Sequence, residues 1–363
     1  MRLDDYEELP PVAELFDPYL SPDRSKKAPL NAFGPPIAYE WWQEGRDFEG
    51  EILLVQRIMP PAFRAMLADE LGLPCICGMD PLAVPSWNRS PRWQRMCEGL
   101  STIREMPAKE RIAFLGMLMS LGYYELVFEL ARLSPQEAVL PPDIDDALAY
   151  AAASARYIVS INRKSYEPYD LKDVAERARV GSRAHFLATS RLLMFYGRFR
   201  QDPLNGRYWR ERNRESLDKV GKGTSEFTRD ILASRYWRSA SLIPLVERDL
   251  ETAWKEMARA EKFARKAQPT TEQESVLARA NLYPVLQSKA RLAQLIESHD
   301  LALSCIQEMC GLDPCYSTAF VDLGHARLAI GDRTSALAAF ERAARLGPPA
   351  ALIGRFMARH CDN

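Results

Sequence analysis

Ser317–Pro348 reads STAFVDLGHARLAIGDRTSALAAFERAARLGP. Phe320, Leu323 and Ile330 recur at helical spacing on one face, and Ala336, Phe340 and Ala343 recur on a second. Gly331-Asp332 between the two sets is a turn signal. Gly347 can end a helix in the left-handed conformation, and Pro348 prevents continuation. The stretch therefore predicts two helices folded back on each other, with small residues at Gly324 and Ala336 allowing close approach. Thirty-four residues before Pro348 stands Pro314, in the similar closure LDP. The same offset places Ala302 on Ala336, Ile306 on Phe340 and Ala290 on Gly324, so the pattern is a repeat.

The best unit resembles a tetratricopeptide repeat. Phe320 sits where that family carries an aromatic, and Leu323-Gly324 matches its Leu-Gly. Ala336, Phe340 and Ala343 match the small-large-small set of its second helix, and Pro348 matches its closing proline. Arg327 departs, standing where the family has an aromatic. Tyr283–Pro314 is a weaker copy, with Lys289 in place of Leu and Pro284 interrupting its first helix. Ala253, Met257 and Ala260 suggest the second helix of a more degenerate unit. The resemblance implies an all-α, right-handed solenoid of antiparallel helix pairs, whose first helices line a concave groove for a peptide or partner protein. Carried onto this chain, the groove positions are Thr318, Val321, His325 and Leu328 in the best unit and Gln287, Arg291 and Gln294 in the one before. The Lys and Asn clamp that one branch of the family uses for a terminal carboxylate is not visible here.

Working back from the repeat, helical periodicity covers Thr271–Glu297, Leu250–Lys266, Thr224–Leu245 and Leu171–Arg200. Asp143 or Asp145 reads as the N-cap of an Ala-rich helix ending near Ser160. Two amphipathic helices, Pro107–Ser120 and Tyr123–Leu133, meet at Gly122, with Ser134-Pro135 closing the second. Before them, proline dominates: thirteen of the 25 prolines lie in the first 100 residues, which argues against long regular helices there. That stretch also holds Trp41, Trp42, Trp87 and Trp93, too much apolar surface to leave in water. The expected organisation is a mobile segment over 1–30 and a Pro/Trp-rich, loop-rich region over 31–106 packed on the body, with one helix near Pro61–Leu71. A helical domain of degenerate pairs over 107–223 and the repeats over 224–363 complete it.

The chain has 363 residues, 47% hydrophobic and 27% charged, with formal net charge −1. There is thus a real core and no global basic bias toward nucleic acid or anionic lipid. The acidic start MRLDDYEELPP does not read as a secretory signal, and no apolar run is long enough for a membrane span. Seven cysteines, an odd number without paired spacings, fit free thiols in a reducing compartment, so the expected location is cytoplasmic. Cys75-Ile76-Cys77 is too tight for a zinc arm, and Cys305, Cys310 and Cys315 fit core or partly exposed thiols. Four scattered histidines form no ligand pair. Gly221-Lys222-Gly223-Thr224 lacks the rest of a P-loop and reads as a loop before a helix capped by Thr224 or Ser225. No metal, cofactor or catalytic motif is recognised.

The chemically suggestive stretch is Arg191–Arg238, with 12 Lys or Arg against 6 Asp or Glu and interleaved aromatics. RYWR occurs twice in it, giving candidate ligand contacts at Arg207, Tyr208, Arg210, Arg235, Tyr236 and Arg238. The competing use is structural: Trp209 and Trp237 in the core, and arginines paired with acids such as Glu211 and Asp230. The leading expectation is a protein- or peptide-binding adaptor, regulator or accessory factor, its ligand contacted by these residues together with Gln287, Arg291, Gln294, Val321 and His325. The alternatives are an enzyme or specialised biosynthetic protein built on a helical-repeat scaffold, and an RNA or single-stranded DNA binder.

Overall fold

The computed structural model describes residues 91–121, 123–133, 140–161, 165–220, 224–314, 316–346 and 350–360. Several sequence expectations lie outside them: the mobile 1–30 segment, the Pro/Trp-rich region up to 90 with its helix near Pro61–Leu71, Gly122, Ser134-Pro135, Gly221–Gly223, Cys75, Cys77, Cys315, Gly347 and Pro348. Every regular element among the described residues is helical. In chain order they are α1 Pro91–Thr102, α2 Ala108–Leu121, α3 Tyr124–Ala131, α4 Pro142–Ser160, α5 Tyr169–Arg177 and α6 Arg183–Met194. A π-helical turn, Phe195–Arg200, prolongs α6. Then come α7 Pro203–Val220, α8 Glu226–Ala240, the short α9 Leu242–Val246, α10 Leu250–Lys266, α11 Glu272–Leu295, α12 His299–Leu312, α13 Ser317–Ala329, α14 Arg333–Arg345 and α15 Ala351–His360. They pack as successive pairs: α2 with α3, α6 with α7, α8 with α10, α11 with α12, α13 with α14, and α15 closing on α14. First helices also touch the next first helices, α2 to α4, α4 to α6, α6 to α8 and α8 to α11. The result is an all-α solenoid of tetratricopeptide-like pairs.

The α13–α14 unit shows why this sequence folds so. Asp332 caps α14 by accepting the Ser335 amide at 3.1 Å, and Gly331 before it takes φ +82°, left-handed backbone that favours glycine. Phe340, Ala336 and Ala343 are fully buried. A β-carbon at Gly324 would lie 2.4 Å from the Phe340 ring, so the missing side chain is what lets the helices cross there. Arg327, at the family's aromatic position, donates instead to the Ser335 carbonyl at 3.0 Å and ties the turn. Ile330 departs from the expected apolar face: it is the C-cap residue and 42% exposed. Ala290, Ala302 and Ile306 of the preceding unit are buried as their counterparts are, and so are Ala253, Met257 and Ala260.

Four boundaries differ from the sequence reading. The periodicity over Leu171–Arg200 is two helices, because the chain turns between Ala178 and Ser182 with Gly181 at φ +89°. Pro284 does not interrupt α11, which runs through it for 24 residues; Ser288 Oγ donates to the Pro284 carbonyl. Helix α4 is capped at Pro141, leaving Asp143 and Asp145 in its first turn. Helix α7 has no counterpart in the sequence reading. Eight of its 18 residues are charged, and its buried face is Gly206, Trp209, Asn213 and Ser216, so it carries little apolar periodicity. A polar tie holds it instead: Asn213 Nδ2 donates to the Phe186 carbonyl at 2.8 Å and to Thr189 Oγ1 at 2.9 Å. Ser225 caps α8 as expected, accepting the Thr228 amide. Helix α1, the described end of the Pro/Trp-rich region, packs on the body through Met96, in one core with Phe114 and Leu118.

Candidate ligand-binding site

The first-helix layer is pinned by buried polar ties. Arg191 Nε on α6 donates to the Tyr150 hydroxyl on α4 at 2.9 Å, and Asn281 Nδ2 on α11 donates to Ser234 Oγ on α8 at 3.0 Å. Past these ties the C-terminal ends of α6, α8 and α11 converge around a cavity of about 380 Å³. The π-turn supplies Gly197 and Arg198, the α8–α9 corner supplies Arg238, Ser241 and Leu242, and α10 supplies Ala253 and Met257. Helix α11 adds Ser288, Arg291 and Leu292. Gln201 (φ 50°) and Arg248 (φ 64°) also line it, and both hold left-handed backbone that is costly for residues with a side chain. A π-turn and two such residues around one cavity is a pattern common at ligand sites.

The electrostatics of the cavity are one-sided. Arg198, Arg238, Arg248 and Arg291 line it, and no aspartate or glutamate among the described residues does. Burial and the neighbouring Arg198 push the Arg238 guanidinium down to about 10. Burial also lowers Arg198, with Arg291 adding to the effect. Outside the lining, burial raises the Asp322 carboxyl on α13, and the charge of nearby Arg291 pulls it back. Helix C-termini favour nearby cations, which accounts for Arg238 in the last turn of α8. It does not account for several converging on one cavity, where mutual repulsion is felt. Apolar walls from Met194, Leu245, Met257 and Leu292 complete an amphipathic lining. Ser241 Oγ donates to the Arg238 carbonyl and Ser288 Oγ to that of Pro284, so both hydroxyls are engaged by backbone.

Of the residues expected from sequence, the cavity brings together Arg238 and Arg291. The other RYWR residues have different uses. Arg207 pairs with Glu247, and Arg210 pairs with the buried Glu256. These partners replace the expected Glu211 and Asp230; Asp230 is held by Lys266. Arg235 is buried and, with Arg191 and Arg238, lines a narrow cleft beside the cavity. Tyr236 and Trp209 are buried, so neither can stack on a base, whereas Tyr208 is exposed on α7. Trp237 is covered by the guanidiniums of Arg259 and Arg214, 4.6 and 5.4 Å from its ring.

Val321 is a correction. It is buried with Ala336 and Phe340 in the core of its unit and presents no groove surface. His325 is exposed, with its ring edge-on to Phe340 at 5.3 Å. Thr318 and Leu328 are half-buried, Leu328 against that same core. Gln287 is half-buried and Gln294 exposed on α11, next to the lining residues but not among them. Arg198, Gln201 and Arg248 were missed. Arg198 lies inside the basic stretch, in Phe195–Arg200 FYGRFR, where helical spacing from Arg191 and Met194 marks it. Among the thiols, burial pushes Cys310 up to about 12, which makes it unreactive. No group of three or more His, Cys, Asp or Glu among the described residues could hold a metal ion.

Neither the protein-family models nor the curated proteins contain a match to the chain. Among solved structures, the crystal structure of yeast Tom70 matches with a TM-score of 0.49 and 14% identity. The match covers 91% of this chain and 59% of that one, so the chain spans under two thirds of its neighbour's length. The fold assignment rests on the helix pairing described above. No helix among the described residues is long and apolar enough to cross a membrane.

Proposed function

We propose that this chain is a protein- or peptide-binding scaffold, an adaptor or accessory factor that holds its ligand across the C-terminal ends of α6, α8 and α11. The observation that supports this reading is the cavity itself: about 380 Å³, apolar-walled, rimmed by guanidiniums and built where successive repeat units meet. An extended peptide with an anionic group and apolar neighbours complements that lining. Among the described residues the lining offers only arginines as charged groups, and its two serine hydroxyls are bonded to backbone, so these residues do not assemble a nucleophile with a base. Burial of Trp209 and Tyr236 removes two of the rings that a single-stranded nucleic acid would stack on.

The test is a peptide-display selection on the full chain, followed by photo-cross-linking of the enriched peptides and mapping of the attachment sites. Attachment to α6, α8–α9 and α11, lost in a Ser288→Trp variant that fills the cavity, is the expected result. Attachment confined to other helices, or binding that ignores the filled cavity, would refute this placement.

A further inference from the structure

Resting on the scaffold reading, we infer that the arginine cavity recognises a phosphorylated side chain of the bound peptide, through Arg198, Arg238 and Arg291 with Arg248 at the rim. The argument is one of charge and geometry. Three guanidiniums come from three different helical segments, the π-turn after α6, the end of α8 and the second half of α11, and converge on one space that no carboxylate among the described residues lines. Among the described residues none of the three is engaged in an ion pair, in contrast to Arg207, Arg210 and Arg265, each paired with glutamate. Among the described residues, Arg238 makes a long contact to the Met194 sulfur, at 3.9 Å.

A single carboxylate would leave most of this charge uncompensated. A phosphomonoester carries close to two negative charges and three acceptor oxygens, so it can take paired N–H donors from more than one guanidinium at once. The positions are arginines throughout, and arginine presents the planar fork that phosphate geometry matches. Arg238 also lines a narrow neighbouring cleft, together with Arg191 and Arg235. The apolar walls suit the residues flanking the phosphorylated one. Arg198 and Arg291 are exposed and Arg238 is half-buried, so the cavity offers both solvent-facing and sheltered guanidiniums to one oxyanion.

The experiment uses the purified full chain and two immobilised degenerate peptide libraries, one centred on phosphoserine and the other on serine. Retention on the phosphoserine library is expected to exceed that on the serine library by roughly tenfold to a hundredfold, the range of charge-assisted hydrogen bonds. Inorganic phosphate should compete, and retention should fall with added salt. The double variant Arg198→Gln, Arg291→Gln replaces two exposed side chains. It should keep the wild-type circular-dichroism spectrum and lose the phosphoserine preference. Equal retention of both libraries, unchanged in that variant, overturns the phosphate assignment and leaves the scaffold reading standing. Retention of neither overturns both. A rise in melting temperature with inorganic phosphate, without any library preference, moves the site to a free anion and overturns the phosphopeptide. Capture of a single-stranded RNA oligonucleotide in preference to either library, lost in the same variant, does so in favour of nucleic acid.

Discussion

Placing a single methyl group at Gly324 tests the repeat packing at its tightest point. A β-carbon there would stand 2.4, 2.6 and 2.7 Å from three ring carbons of Phe340, against about 3.5–4.0 Å for carbon atoms in contact. The ring is fully buried, wedged beside His325 and among Ala336 and Ala343, so it has little room to turn. Relief requires moving α13 away from α14 by about 1 Å, at an overpacking cost of roughly 1–3 kcal/mol. Alanine is the better helix former by about 1 kcal/mol, which offsets part of that. Gly311 supplies the control: it lies in α12 with nothing within 4 Å of its would-be β-carbon. Gly311→Ala should stabilise by about 0.5–1 kcal/mol. Gly324→Ala should instead be neutral to destabilising by about 2 kcal/mol, and Gly324→Leu worse. The difference between the two alanine variants isolates the packing contribution, and Phe340→Leu should recover part of it in a double-mutant cycle. Urea unfolding followed by circular dichroism gives the free energies, and hydrogen exchange localises the loss to α13 and α14. If Gly324→Ala stabilises as much as Gly311→Ala, the helices do not cross at that contact.

Two further substitutions separate structural from exposed arginines. Arg210→Met leaves Glu256, 6% exposed in its side chain, as a buried unpaired acid and should cost about 3–5 kcal/mol by urea titration, most of it recovered by adding Glu256→Leu. Arg207→Met, whose side chain is 63% exposed, should cost under about 1 kcal/mol. The ring of His185 is fully buried with neither nitrogen hydrogen-bonded among the described residues. Burial, with Arg212 and Lys219 adding to it and Glu215 opposing, holds its pKa down at about 4 from 6.5. Below pH 6.5 the unfolded chain takes up a proton that the folded chain refuses. Stability contributed by the neutral ring is therefore complete above that pH and is lost toward pH 4, about 2 kcal/mol of it by pH 5. Urea midpoints from pH 7 to pH 5 should show this slope and His185→Phe should lack it; identical slopes would place the proton elsewhere.

Much of the fold was legible because its signals are local. The offset that aligns Ala290, Ala302 and Ile306 with Gly324, Ala336 and Phe340 reports buried positions directly, since small and large residues must alternate where helices cross. Helix α7 was illegible because its buried face is mostly small or polar and depends on Asn213 reaching backbone on α6, a contact that no periodicity encodes. Pro284 misled because proline's cost to an isolated helix is overridden by the packing of both halves of α11, where Tyr283, Val285 and Leu286 around it are all buried. The site was half legible. Its location in a basic, aromatic stretch was visible, but RYWR drew attention to a repeat in sequence that is no repeat in space: Arg238 faces the cavity, while Arg210 is paired with a glutamate 46 residues away. Arg198, which helical spacing from Arg191 and Met194 marks, stands in the π-turn that prolongs α6.

The central claim is that Arg198, Arg238 and Arg291 form one ligand-binding centre, while Arg207 and Arg210 serve the fold. Side-chain NMR of the arginine Nε–Hε groups, on the full chain, reads these residues separately once each is assigned by substitution. Titrating a phosphoserine peptide selected as above should shift the Arg198, Arg238 and Arg291 signals together along one binding curve and leave those of Arg207 and Arg210 in place. Shifts at Arg207 and Arg210 with the cavity arginines unmoved would contradict the account.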